Sequence, residues 1–248
     1  MSNYHEYFKF KKGYVIGGEW FPRVTAIVDI KSKPALYKYY GNLNSFEEGE
    51  SIKTKSASEG TQIHEAVEKI LKGETAVVDE TIKPAVDAFE QFIQKTGIKT
   101  SPEFIEQKVV SRKYRYAGTV DAFARIDGKF GVLDIKTSKA IYRDYGLQTS
   151  AYFGAAAEYG TLPVETRWIL RIDQSQKCLN CGASSRTKGG KEKITGGDAD
   201  CKHKWGPVRG EIELKELANV ESDYEAFVAA KKLWEWENED LLKKIGYF

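Results

Sequence analysis

The chain has 248 residues, with 38 Lys and Arg against 36 Asp and Glu and only three cysteines. That length supports a substantial core, and the near balance of charge means that affinity for a polyanion has to come from local patches. The absence of any run of about 18 or more apolar residues argues against membrane attachment; an odd cysteine count, and an opening MSNYHEYFKFKKG with no apolar core, lead us to expect the cytoplasm.

Taken in order, residues 4–21 alternate aromatic and polar residues around Lys12-Gly13 and Gly17-Gly18, which predicts small strands joined by tight turns. FPRVTAIVDI begins an apolar stretch, and KSKPALYKYYG predicts a short helix ending near Gly41. Residues 1–55 thus read as an N-terminal extension of a single domain spanning 1–248. The polar stretch 42–60 is expected to be a solvated loop in which Lys53 and Lys55 could touch a substrate. Ser58 suits the N-cap of a helix through Lys72, with Gly73 just past its end. Ile63, Val67, Ile70 and Leu71 form its apolar stripe, and His64 and Glu68 stand beside that stripe one turn apart. A second helix over 84–95 carries Val86, Phe89, Phe92 and Ile93 toward a core.

Strands are expected at 104–110, 115–126, 129–136 and 164–172. Glu106 lies on the first, and the four basic residues between Lys108 and Arg115 make a basic hairpin that could track phosphates. Asp127-Gly128 is a dipeptide favoured in two-residue hairpins, so the second and third strands pair. Period-two alternation puts Val132, Asp134 and Lys136 on one face, with Leu133 and Ile135 on the other, and the hairpin returns Asp121 beside them. Two carboxylates can hold a hard divalent ion such as Mg²⁺ while an ammonium neutralises charge on a phosphoryl group; an exposed hairpin with a salt bridge fits the same three residues. Thr137, Ser138 and Lys139 follow. A helix over 143–159 buries Leu147, Ala151 and Ala155, which leaves Gln148 and Tyr152 together on an adjoining face.

All three cysteines fall in one segment, as Cys178-x-x-Cys181 followed by Cys201-x-His203. Two close pairs of soft donors suit a tetrahedral Zn²⁺ site, so residues 174–206 are read as a zinc-binding insertion. It is basic: from Arg171 to Arg209 there are nine Lys and Arg against four Asp and Glu. WGPVRGEIELKEL resumes as a strand. A last helix from about Glu221 is expected to bury Tyr224, Phe227, Val228, Trp234 and Leu241, and residues 211–240 are acidic.

GTVDAF, VLDIKTSK and Gln148-x-x-x-Tyr152, with Gly60, His64 and Glu68 upstream, together resemble the PD-(D/E)XK nuclease superfamily in its RecB-like branch, which includes phage recombination exonucleases and CRISPR adaptation nucleases. The resemblance covers residues 56–160. It implies an α/β (α+β) fold with a restriction-endonuclease-like mixed sheet flanked by helices in αβββαβ order. It further implies that Asp121, Asp134, Lys136, Gln148 and Tyr152 form the catalytic set. His64, Asp121, Asp134 and the Ile135 carbonyl would hold Mg²⁺ or Mn²⁺. The expected activity is DNA phosphodiester hydrolysis, most simply by an exonuclease of phage recombination or repair, with a recombination or single-strand-binding protein as a further partner. Alternatives are a structure-selective or CRISPR-type end-trimming endonuclease, and a catalytically silent zinc-ribbon nucleic-acid-binding protein. Relatives with an iron–sulfur cluster use four cysteines, one of them upstream; this chain has none there, so zinc is expected.

Overall fold

The computed structural model describes residues 4–248, apart from the side chains of residues 35 and 36. Residues 1–3 of the expected extension lie outside the described residues. The first element is a helix, α1 (Tyr4–Lys12), where strands were expected. Its alternating aromatics do not line one face of a sheet. Phe8 alone is buried, packed between the Trp20 and Trp234 rings at centroid distances of 5.9 and 6.1 Å, while Tyr4, Tyr7 and Phe10 face solvent. The hairpin β1 (Gly13–Ile16) and β2 (Glu19–Pro22) follows, then α2 (Val24–Val28) and α3 (Pro34–Tyr40), whose first turn holds Pro34.

The expected loop is also helical. α4 (Phe46–Leu71) runs for 26 residues, so its N-cap is Ser45 rather than Ser58. The Ser45 hydroxyl accepts from the Glu48 amide at 3.1 Å, and the Glu48 carboxylate accepts from the Asn44 amide at 3.1 Å, which satisfies two amides at the helix start. α5 (Lys83–Thr96) ends, as its sequence suggests, at Gly97 in the left-handed conformation.

A mixed sheet is then built from β3 (Ile105–Ser111), β4 (Tyr116–Ile126) and β5 (Lys129–Lys136), the helix α6 (Asp144–Ala157), and β6 (Thr166–Lys177). The strand pair β7 (Ser184–Lys188) and β8 (Lys191–Thr195) precedes β9 (Arg209–Glu216) and the helices α7 (Val220–Glu237) and α8 (Glu239–Lys244). β3, β4 and β5 pair antiparallel in that order, β6 joins β5 in parallel, and β9 pairs antiparallel with β6. The β7–β8 arm hangs from the end of β6, where Gln176 and Lys177 pair with Ser185 and Ser184.

Helices cover both faces, so the protein is a mixed α/β fold. On one face α4 and α5 bury Ile63, Val67, Val86 and Phe89 against Leu133, Ile135, Leu170 and Ile172. On the other, α2, α6 and α7 bury Ile27, Ala151 and Phe227 with Val120, Phe123 and Val132. The last helix breaks at Asn238, so Leu241 belongs to α8 and not to the stripe of Phe227 and Trp234. Among the described residues, no helix is long and apolar enough to cross a membrane.

Alternation fails at one level of the sheet. Val120 and Ala122 have the same parity yet enter opposite core layers, as do Ile105 and Val109 on the neighbouring strand. Between them lie Asp121 on β4 and Glu106 on β3, the latter with φ of 53°. The β4–β5 ladder also ends here, its last pair being Ala122 with Leu133. Both strands therefore turn over where the acidic residues stand.

Candidate functional site

The departure of β4 from β5 creates the site. Asp121 Oδ2 accepts from the Ile135 amide at 2.6 Å, an amide that continued pairing with β4 would have engaged. Asp121 faces α4, where His64 Nδ1 lies 3.9 Å from its other oxygen. Asp134 faces α6, and its Oδ1 accepts from Gln148 Nε2 at 3.0 Å; the same nitrogen lies 3.0 Å from the Tyr152 hydroxyl. Lys136 Nζ lies 2.5 Å from Asp134 Oδ2 and 5.2 Å from the centre of the Tyr145 ring. The structure thus gathers Asp121, Asp134, Lys136, Gln148, Tyr152, His64 and Ile135 around the end of β5, the last so far through its amide.

Gly60 explains how α4 comes so close. A Cβ there would lie 2.9 Å from Thr137 Oγ1, so glycine lets the helix approach the chain just after Lys136 and deliver His64 one turn later. His64, Glu65, Glu68, Glu106, Ser56, Thr61 and Thr137 line a cleft of about 510 Å³ beside the site. Glu68 sits 2.5 Å from Lys72.

Burial governs the electrostatics. Asp134 is 1% exposed; desolvation pushes its carboxyl up to about 6 against the pull of Lys136, with Asp121 adding to the rise. Asp121 is raised for the same reason. Glu106, open to solvent at its edge, is pushed up to about 7 by desolvation and by the facing Asp121 and Glu68 carboxylates. Lys136 is raised because the two aspartates outweigh its own burial, and it remains an ammonium. His64 is lowered by burial and then by Lys136, which leaves a neutral imidazole with a free lone pair. Burial and the Asp134 charge keep the Tyr152 phenol protonated.

Two carboxylates and a neutral imidazole are donors of the kind that a divalent cation takes. Asp134 Oδ2 is paired with Lys136, but Asp121 stands beside it, so two buried carboxyls face a single ammonium. The ligand atoms of His64, Asp121 and Asp134 do not all lie within 4.8 Å of one another, the separation that the Cys₃His group does meet.

No model of a protein family matches the chain, and no curated protein matches it.

The second centre forms as its sequence suggests. Ligand atoms of Cys178, Cys181, Cys201 and His203 all lie within 4.8 Å of each other. Cys178 Sγ is 3.9 Å from Cys201 Sγ, and Cys181 Sγ is 3.5 Å from His203 Nδ1. A tetrahedron with Zn–S of about 2.3 Å and Zn–N of about 2.0 Å requires about 3.8 Å and about 3.5 Å for those edges. The four can hold a metal ion such as zinc. Backbone bonds shape the knuckle: the Cys178 amide donates to Ala183 at 2.8 Å and the Leu179 amide to Lys204 at 2.8 Å. Cys201 is pushed up to about 12 by burial and by the two neighbouring sulfurs, the mark of a thiolate cluster that a cation would relieve.

Several other polar groups expected near a substrate have partners within the protein. In the basic turn of β3 and β4, Arg112 makes an exposed pair with Glu19 at 3.2 Å and Arg115 stacks over Tyr247 at 4.1 Å. Ser138 donates to the Ala140 carbonyl. Lys53 pairs with Glu50 at 3.2 Å. What the sequence left unassigned is Arg186 and Lys188 on β7, which both donate to the Thr137 carbonyl. Their one legible signal was two cations at strand spacing ahead of Gly189-Gly190.

Proposed function

We propose that the chain is a divalent-metal-dependent nuclease that hydrolyses DNA phosphodiester bonds, a RecB-like member of the PD-(D/E)XK superfamily acting as an exonuclease in recombination or repair. The observation that carries this reading is Asp134: an almost fully buried carboxylate, ion-paired with Lys136 and joined by Asp121 across a break in the sheet, so that two acids share one ammonium. A purely structural buried ion pair gains nothing from a second carboxylate, Asp121, that raises the cost of charging the first. The order α4, α5, β3, β4, β5, α6, β6 contains the αβββαβ succession that this assignment entails, with α5 inserted after α4, and so supports it.

Asp121, Asp134, the His64 imidazole and the Ile135 carbonyl would hold Mg²⁺ or Mn²⁺. Such an ion polarises a phosphoryl oxygen and makes water more acidic when bound. Lys136, kept charged in a desolvated pocket, places positive charge where the attacked phosphate gains negative charge. Gln148 fixes the Asp134 carboxylate plane, and Tyr152 supports Gln148 from the same helix face. Zn²⁺ in the Cys₃His group is closed by four protein ligands and would serve structure alone.

Incubation with 5′- and 3′-labelled linear DNA beside covalently closed circles, with Mg²⁺ or Mn²⁺, tests the reading. Release of end-labelled mononucleotides or short oligonucleotides with circles left intact is expected. Nicked or linearised circles would replace the exonuclease by an endonuclease, and binding without any cleavage would favour a silent nucleic-acid-binding protein.

A further inference from the structure

The Cys₃His loop and the carboxylate centre are joined by a short chain of contacts. Cys181 is three residues from the start of β7, and the knuckle bonds of Cys178 with Ala183 and of Lys177 with Gly206 set where that strand begins. Arg186 and Lys188 are two residues apart, so they leave β7 on one face. Arg186 is fixed by Asp173 of β6 at 2.6 Å, and it also donates to the Thr137 carbonyl at 3.4 Å. Lys188 donates to the same carbonyl. Thr137 directly follows Lys136.

The tip of the arm is held as well. The Gly189 amide donates to Glu59 of α4 at 3.0 Å, and Lys191 pairs with Glu48 at 3.2 Å. Gly189 has φ of 61°, and a Cβ there would collide with the Ser56 hydroxyl and the Ile52 carbonyl, so the tip lies flat on the helix that carries His64. The arm therefore touches both flanks of the carboxylate site, yet contributes none of its ligands.

We propose that the Cys₃His-anchored arm braces the reaction centre, with Lys188 and Arg186 as positioning residues that fix Thr137 and through it Lys136. A metal ion in the cysteine cluster then sets the register of β7, and so controls the geometry of the carboxylate–lysine site from a distance. This rests on the nuclease reading for its effect on rate but not for its effect on structure. Without Lys188 the Thr137 carbonyl keeps only the long 3.4 Å bond from Arg186, and the residue after the strand end is freer to move. Lys136 then samples positions off the one its role requires, and a displacement of about 1 Å can cost up to roughly a hundredfold in rate.

The experiment compares the zinc-loaded wild type with Lys188→Met, Lys188→Arg and Cys181→Ser, by hydrogen exchange and by single-turnover kinetics. In Lys188→Met, faster exchange at residues 135–139 is expected with the 122–133 hairpin unchanged. Its cleavage rate at saturating DNA should fall roughly ten- to a hundredfold with little change in the half-saturating DNA concentration. Lys188→Arg should restore most of both, because a guanidinium can still donate to the carbonyl. Cys181→Ser should lose the metal and show the same local exchange. Unchanged exchange at 135–139 in both Lys188→Met and Cys181→Ser overturns the brace, as does a Lys188→Met defect confined to DNA affinity. If the wild type cuts no DNA, the nuclease reading fails, and the exchange data alone still decide the brace.

Discussion

The Ile135 amide donates to the Asp121 carboxylate at 2.6 Å at the point where β4 and β5 have ceased to pair. A ladder amide that would otherwise bond backbone instead orients an acid. The carboxylate reaches this position because β4 turns over at Asp121, and β3 turns over with it at Glu106. Strand irregularity and the candidate site coincide in one layer of the sheet.

His64 sits 3.9 Å from Asp121 with its imidazole held neutral. Replacing it by Ala should raise the Mg²⁺ concentration needed for half-maximal cleavage by roughly tenfold or more. Mn²⁺ should recover more of the rate than Mg²⁺, since it accepts mixed ligands and irregular geometry more readily. A metal titration with the same midpoint as wild type would return His64 to a packing role.

Raised carboxyls make stability depend on pH in a definite sense. Asp134 and Glu106 titrate near about 6 and about 7 in the folded chain, above their ordinary values, so the folded state binds more protons than the unfolded state between about pH 4 and 7. Their contribution is full below the unfolded values and is lost as pH rises through the folded ones. On the proposed reading, divalent ions binding the deprotonated set would reverse that loss. With zinc saturated, Mn²⁺ should raise the melting temperature more at about pH 7.5 than at about pH 5. Equal shifts at the two values, or a full shift in Asp134→Asn, would remove the ion from this site.

Arg167 is fully buried and joins β6 to two helices. It donates to the Gly146 carbonyl at 2.5 Å, to Thr149 at 3.1 Å and to the Asn219 carbonyl at 2.9 Å, and it pairs with the buried Asp223. Gly146 lies two residues from Gln148, so this network also sets the helix that orients Asp134. Arg167→Met should destabilise the fold by about 3–5 kcal/mol in denaturant unfolding, because it removes the buried partner of Asp223, leaving only the exposed Arg143, and takes a donor from the Gly146 and Asn219 carbonyls. A loss within experimental error would show that Arg143, 2.5 Å from Asp223, suffices alone.

The β4–β5 hairpin was legible because strict alternation and Asp127-Gly128 act over a few residues. The same holds for the cysteine pairs, whose spacing alone brings four donors together. Residues 46–58 were not legible as helix: their partners come from elsewhere. Tyr40 packs over Gly49 from α3, and Gly189 reaches Glu59 from 130 residues away. Polar surface that looks loop-like in sequence is the landing site of a distant arm. In residues 4–12 the alternation was real, but a single buried Phe8 is enough to dock a helix. Nothing local in Glu106 signals a left-handed backbone, which the turning of two strands imposes.

The most direct test is single-turnover cleavage of end-labelled DNA by wild type, Asp134→Asn and Lys136→Ala, each checked for folding and zinc content, with Mg²⁺, Mn²⁺ or chelator. The account predicts cleavage by the wild type only with Mg²⁺ or Mn²⁺, and a loss of roughly 10²- to 10³-fold or more in each variant. Cleavage by Lys136→Ala at the wild-type rate, or by the wild type in chelator, would contradict it.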